Sequence, residues 1–498
     1  MKVRRIVSIA LVAAITGACC GCKDTTGSET ASSSVETRKT TVPTTTETTE
    51  PTETTTETTT ESTHETTQIK DEEEGPIVVY GYDKDFPELI KTYLPDTQID
   101  YVYIEPKDYY KQLSAAFTSE DKKPDLFMCD KDHLQDWSYS DKSLSLSKLG
   151  FSYADLEDQF AYTYEAARDD SNAIKALSYE LAPSALLYNR AVAKKAFGSD
   201  EPSEISPLLS DWDKILDAAK KINVDSEGKK KLISSLSDIK ETYWAGHTTP
   251  WVKGKKVQID KDFDKYFRLE EMLYAESLTF ESKVGSQEWS DNLRNGEAMM
   301  FFGSLVTAKS AIDFVYGHAD NPDESATDLM QETLPTSSET GLGQETVTSE
   351  TTEPEDDVTG WAIVAAPNAT YDGGTWLMVA STCRRKASSA EFLRSLTIDQ
   401  TVLSRMALDG YFVNSRAVMK QCSTDPYFAC DFLGGQNPYA ILVPIAENIV
   451  VTADTEADHY AEKEIEKLLS AYLSSEIETI DEVKLQFKVG MEELLGLS

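Results

Sequence analysis

From residue 76 onward the sequence alternates short apolar runs with amphipathic stretches, and this alternation restricts the possible folds more than any other feature. Ile77-Val78-Val79-Tyr80-Gly81-Tyr82, residues 98–104 and Asp125-Leu126-Phe127-Met128-Cys129 read as strands, while residues 87–93 and 109–117 carry helical spacing. Strands separated by helices favour parallel pairing, because a parallel neighbour needs a long crossover where an antiparallel one needs only a turn. The expectation is an α/β fold with parallel strands, in which ligands gather at the carboxyl ends of the strands. After Tyr188 the pattern turns mostly helical, over 190–197, 211–222, 262–274, 287–294 and 305–316. Two more strands are expected at 361–366 and 375–381, helices at 387–397 and 401–408, and amphipathic helix from 457 to 495.

Two tracts cannot contribute to such a core. Residues 25–75 are dominated by Thr and Glu, and residues 320–357 have the same Thr/Ser/Glu character, so neither offers enough apolar surface to offset its ordering entropy. The first reads as a disordered linker, 23–75, with a coil span of about 40 Å. The second reads as an acidic disordered insertion. Over the 498 residues, 86 Asp and Glu against 48 Lys and Arg leave a net charge of −38, more than half of it in these two tracts. A surplus of that sign argues against nucleic acid or an anionic membrane face as a partner.

At the N-terminus, Lys2, Arg4 and Arg5 precede an apolar run over 6–15 and then Thr16-Gly17-Ala18-Cys19, the layout of an export signal ending at small residues. The run is too short to span a bilayer. Cysteine after small residues resembles a bacterial lipobox, with Cys19 fitting best and Cys20 and Cys22 close by. That resemblance implies residues 1–22 as a lipoprotein signal and a protein tethered by acyl chains to the outer face of the cytoplasmic membrane. Cys129, Cys383, Cys422 and Cys430 remain in the body without metal-site spacing and read as buried free thiols, with a small loop disulfide between Cys422 and Cys430 as the alternative.

The order of pieces resembles a solute-binding protein of an ABC importer, in the branch of maltose- and other oligosaccharide-binding proteins. Pro124-Asp125-Leu126-Phe127 is similar to the family's strand ending at the cleft. Tyr179-Glu180-Leu181-Ala182-Pro183, leading to Leu187-Tyr188-Asn189, a helix and Gly198, is similar to its first crossover between lobes. Asn295-Gly296-Glu297-Ala298-Met299-Met300 with Gly303 is similar to its G-x-x-A-M segment, Ala366-Pro367 with Gly373-Gly374 to the return crossover, and Gly410-Tyr411 to Arg416 to the last one. One departure is Ser304-Leu305-Val306 after Gly303, where relatives often place a stacking aromatic. The resemblance implies a two-lobed fold of the type II periplasmic-binding-protein kind. Lobe 1 would comprise 76–184 and 361–409, and lobe 2 would comprise 185–319 and 410–498. It also implies a ligand cleft between the lobes, a monomer, and an ABC permease as partner.

Candidate ligand residues follow. Tyr82 and Asp130 stand at the carboxyl ends of the first and third strands. Glu180 lies in the first crossover, and Tyr411 and Arg416 at the last. Gly374 would let a ligand approach the backbone, and Trp376 beside it is a candidate sugar platform, with a core position as the alternative. Trp244 and Trp251 flank Gly246 and Pro250 in a loop-like stretch and are candidate platforms as well.

The five histidines show no ligand spacing, and the sequence contains no G-x-S-x-G, P-loop or G-x-G-x-x-G, so no enzyme class, metal or cofactor is indicated. The expected function is capture of a sugar or oligosaccharide and its delivery to a permease. The alternatives are a non-sugar solute (a polyamine, amino-acid derivative or peptide) and a cell-surface binding protein without a transport role.

Overall fold

The structure, a computed structural model, describes residues 69–247, 249–305, 360–451 and 456–497. The expected signal with Cys19, nearly all of the linker, the helix over 305–316 beyond Leu305 and the acidic insertion lie outside the described residues.

In chain order the strands are β1 (Ile77–Gly81), β2 (Ile99–Tyr103), β3 (Leu126–Cys129), β4 (Ala176–Asn189), β5 (Lys231–Ile233), the small hairpin β6 (Val252–Lys253) and β7 (Lys256–Val257), β8 (Ala298–Gly303), β9 (Trp361–Val364) and β10 (Thr370–Val379). The main sheet runs β2-β1-β3-β10-β4-β8-β5, with β9 also paired to β4. β1 is parallel to β2 and β3, and β5 is parallel to β8, as helix-separated strands should be. The middle of the sheet departs from that expectation: β10 is antiparallel to β3 and β4, and β4 is antiparallel to β8 and β9.

That departure comes from β4, a single strand that serves two bodies. Its first part, Ala176 to Ser184, pairs with β10, and its last part, Ala185 to Asn189, pairs with β8 and β9. Successive side chains of a strand point to opposite faces. Leu187 accordingly joins one buried cluster, with Val79, Leu126 and Leu377, while Leu186 and Tyr188 join another, with Ile215, Phe267 and Met300. These are the cores of lobe 1 and lobe 2. β4 ends where the Asn189 side chain accepts from the Val192 amide and starts the helix Arg190–Phe197, which closes at Gly198 with φ +79°.

The helical regions hold several differences from the sequence pattern. β5 and β8 lie inside the stretch read as mostly helical, because a three-residue strand and the wholly apolar Ala298–Gly303 show no period. A helix at Tyr439–Asn448 carries Pro444 in its interior, which masked it. The C-terminal stretch is two helices, Glu456–Leu473 and Ile480–Leu494, with Ser475 left-handed at φ 61° between them. In the C-terminal part, Ala461, Ile465 and Phe487 sit in the lobe 2 core. Val418, Met419, Leu442 and Val443 share a cluster with Val79 and Leu126. Cys129, Cys383, Cys422 and Cys430 are all free thiols. Among the described residues no helix is long and apolar enough to cross a membrane.

Two candidate site residues prove to be structural. Trp376 has no exposed surface, and its indole N–H donates to the Thr163 carbonyl at 2.9 Å, so it is a core residue of lobe 1 and not a sugar platform. Gly374 sits at φ +116°, and a Cβ there would lie 3.1 Å from the Trp376 ring and 3.3 Å from the Glu180 carbonyl. The missing side chain thus makes room for Trp376 rather than for a ligand. Gly374→Ala is expected to lower stability by about 1–3 kcal/mol through backbone strain and crowding; unchanged urea unfolding would refute the assignment.

Candidate functional site

The carboxyl ends of β1 and β3 open toward one region. Gly81 ends β1 because nothing larger fits: a Cβ would lie 2.2 Å from Tyr101 Oη and 2.6 Å from Met128 Sδ. The chain then turns, with Tyr101 donating to the Asp83 carbonyl at 2.6 Å and the Asp85 amide donating to Asp83 Oδ1 at 2.8 Å. This presents Tyr82, partly exposed, with its ring edge-on to Tyr109 at 5.0 Å. At the end of β3, the Asp130 amide donates to Tyr110 Oη at 3.0 Å, and Asp130 Oδ1 accepts from the His133 amide at 3.0 Å. The His133 ring lies 2.8 Å from the same oxygen and stacks on Tyr110 at 3.8 Å. Asp130 therefore spends one oxygen on the turn into the helix Leu134–Tyr139 and remains partly exposed.

Glu180 is presented by β4 where that strand meets Val413. Burial, and then the charge of Asp83, push its carboxyl up to about 7. Asp83 is itself raised by burial. Tyr411 is pushed up to about 12 by burial and then by Glu180 and Asp83, and Tyr82 is raised well above its usual range by burial and then by Asp130. Tyr82, Glu180 and Tyr411 are each partly exposed, and Asp83 or Asp130 is among the causes of each shift. Sequence reasoning missed Asp83, although it stands next to Tyr82 in the same turn after the strand.

A cavity of about 220 Å³ has walls that come from both lobes. Lys131 and Asp132 after β3 face Lys240, Glu241 and Trp244 of the lobe 2 helix Lys240–Trp244, with Tyr371 of β10 between them. Lys131 Nζ is 3.4 Å from Glu241 Oε2, an ion pair from lobe to lobe, and 5.6 Å from the centre of the Tyr371 ring. Burial works against the Lys131 charge, but Glu241 and Tyr371 hold its pKa above the ordinary value.

Trp244 ends a helix instead of standing in a loop, yet it is partly exposed and lines the cavity. Trp251 is only 3% exposed and packs against Phe263 and Phe487, so it belongs mainly to the lobe 2 core and meets the cavity through its small remaining surface. Arg416 is exposed on lobe 1, where its guanidinium donates to the Glu157 carbonyl and its amide to the Asp158 carbonyl at 2.8 Å. It fastens a surface loop and does not join the site. Among the described residues no group of three His, Cys, Asp or Glu is placed to hold a metal ion.

The family model for bacterial extracellular solute-binding proteins matches residues 81–400, which include both sides of this cavity. The chain belongs to that family. Among solved structures it is similar to an extracellular solute-binding protein of family 1, with a TM-score of 0.64 at 12% identity over 84% of this chain and 99% of that one. It is also similar to the cyclic α-maltosyl-1,6-maltose binding protein of Arthrobacter globiformis, with a TM-score of 0.59 at 12% identity over 84% and 99%. The GacH receptor of Streptomyces glaucescens, solved with acarbose, aligns with a TM-score of 0.55 at 15% identity over 85% and 99%. At these identities the likeness is one of fold. No curated protein matches the chain.

The raised carboxyl of Glu180 has a stability consequence. A group with a folded pKa of about 7 and an ordinary value of 4.5 favours the native state when protonated, so its contribution is lost as pH rises through that window. Glu180→Gln should make the ligand-free protein more stable than wild type at pH 8, with the difference vanishing near pH 4.5. Asp238 and Glu270, also raised by burial to about 7 and about 8, keep a similar slope in both proteins. Thermal melts across pH 4.5–8 that stay parallel would show that Glu180 is not desolvated.

Proposed function

We propose that this solute-binding protein captures a sugar or oligosaccharide between its lobes and hands it, chemically unchanged, to an ABC permease. The observation that carries the reading is a cavity walled by both lobes and lined by the rings of Trp244, Trp251 and Tyr371, with the partly exposed carboxyls of Asp83 and Glu180 on lobe 1 as further acceptors. Carboxylates accept hydrogen bonds from hydroxyls, and indole and phenol rings suit the C–H faces of sugars. Relatives of the same fold include one named for binding cyclic α-maltosyl-1,6-maltose and one solved with acarbose. Closure over the solute strengthens each of these contacts, and the solute shifts the open–closed balance only by the contacts it gains in the closed state. Acylation at Cys19 would hold the protein on the outer face of the membrane, beside the permease, with residues 23–75 as the tether.

A second reading, a cationic solute such as a polyamine, is favoured by the same carboxylates, which have no base among their described hydrogen-bond or ion-pair partners. One titration separates the two: the purified chain against a panel of mono- and oligosaccharides and against spermidine, read by tryptophan fluorescence. Saturable binding of a saccharide with a dissociation constant near micromolar, about −8 kcal/mol, is expected, and Glu180→Gln should weaken it about tenfold. Binding of spermidine alone would overturn the sugar reading in favour of the cationic one.

A further inference from the structure

A larger cavity, of about 500 Å³, lies in lobe 2 and shares Trp244 and His247 with the cleft. Its remaining walls come from the start of the helix Trp212–Asp225, the helix Phe263–Ala275 and Asn368. Three rings stand together in it, with Trp212 5.1 Å from Tyr243 and Tyr243 5.5 Å from Trp244. Asn368 fixes this corner by donating to the carbonyls of Thr242 and Tyr243, both at 3.0 Å.

Three polar atoms of residues in that wall have no hydrogen-bond partner; one is His247 Nε2, which faces Asp458 at 3.6 Å, and the other two belong to Asp260 and Trp244. Asp260 is only 2% exposed; its Oδ1 accepts from the Asp262 amide at 2.8 Å, but its Oδ2 is buried and unbonded. The indole N–H of Trp244 is buried and unbonded as well. Neighbouring cations do not supply the missing bond to Asp260. Lys265 is engaged with Asp262 at 2.9 Å, and His247 faces the Trp244 carbonyl with Nδ1 and Asp458 with Nε2. Buried polar atoms are nearly always paired, so a separate orphan acceptor and orphan donor in one cavity wall call for a ligand group that both donates and accepts.

We infer that the lobe 2 cavity is a saccharide subsite, taking the rings of an oligosaccharide that extend beyond the interlobe cleft; this rests on the sugar reading above. A hydroxyl donates to Asp260 Oδ2 and accepts from Trp244 Nε1, whereas an ammonium can only donate and leaves the indole N–H unpaired. An anion would meet Asp211, Asp213, Asp260 and Asp262, four acids against the two bases Lys265 and Arg268 in the same wall. The Trp212 ring, partly exposed, offers a face for a sugar ring. Asp260 Oδ2 and Trp244 Nε1 are both closed to solvent in the empty protein, so a ligand reaches them only as the wall around them opens.

The test is calorimetry of the purified chain with gluco- and galacto-oligosaccharides of increasing length. Asp260→Asn keeps the acceptor for the Asp262 amide and removes the orphan charge, and Trp212→Ala removes the ring face. Both are expected to weaken the longer saccharides about tenfold while leaving mono- and disaccharides unchanged. Asp260→Asn retains the acceptor for the Asp262 amide, so the ligand-free protein should stay folded; a purely structural Asp260 would give a lower melting temperature with losses of affinity at every saccharide length. Equal affinities, or losses independent of length, would overturn the subsite while leaving the interlobe reading standing. Failure of the wild-type chain to bind any saccharide would remove both.

Discussion

Nearly everything in this structure depends on β4 belonging to two bodies at once. A strand has two faces and two edges, and β4 uses them in sequence: its first part is a central strand of lobe 1 and its last part a central strand of lobe 2. Because neighbouring residues such as Leu186 and Leu187 are anchored in different cores, the strand cannot slip by one residue without turning both sets of apolar side chains outward. The register is fixed from both ends. Glu180 is therefore held at a defined point of the strand, opposite Thr375, on a backbone that cannot drift.

The site built there departs from what stability alone would select. The carboxyls of Asp83 and Glu180 are raised by burial, and Asp260 buries an unpartnered oxygen in lobe 2. Each costs free energy in the empty protein, and the two large buried clusters are what allow it to be carried. Such concentrations of unfavourable groups are expected where a ligand supplies the missing partners. The contrast with Trp376 is informative: that residue is equally polar at its indole nitrogen, but its N–H is satisfied within the fold by Thr163, so it asks nothing of a ligand.

How much of this was legible in the sequence differs from residue to residue. The first three strands and the helices between them follow directly from periodicity, and the rule that ligands meet strand carboxyl ends points to Tyr82 and Asp130, beside which Asp83 and Lys131 stand. Trp376 was not readable in the same way, because Trp376 to Val379 are all buried and the alternation that separates core from cleft is absent. Trp251 and Trp244 looked equivalent, flanked by Gly and Pro, yet one is packed under Phe263 and Phe487 and the other remains partly exposed. Contacts formed over long separations left no signal at all. Lys131 and Glu241 meet across 110 positions, and Asn368 reaches back 126 to tie down Thr242.

The ion pair between Lys131 and Glu241 gives the two lobes a resting grip on each other. The Glu241 side chain is largely exposed, so water and salt screen the attraction and its worth stays below about 1 kcal/mol. A fastening that weak can be exchanged for a guest's own contacts without a large barrier. At that strength it biases the halves toward one another only severalfold, so it cannot bar a newcomer. Selectivity is left to the groups inside, and the latch contributes chiefly to where the two halves rest when nothing is held.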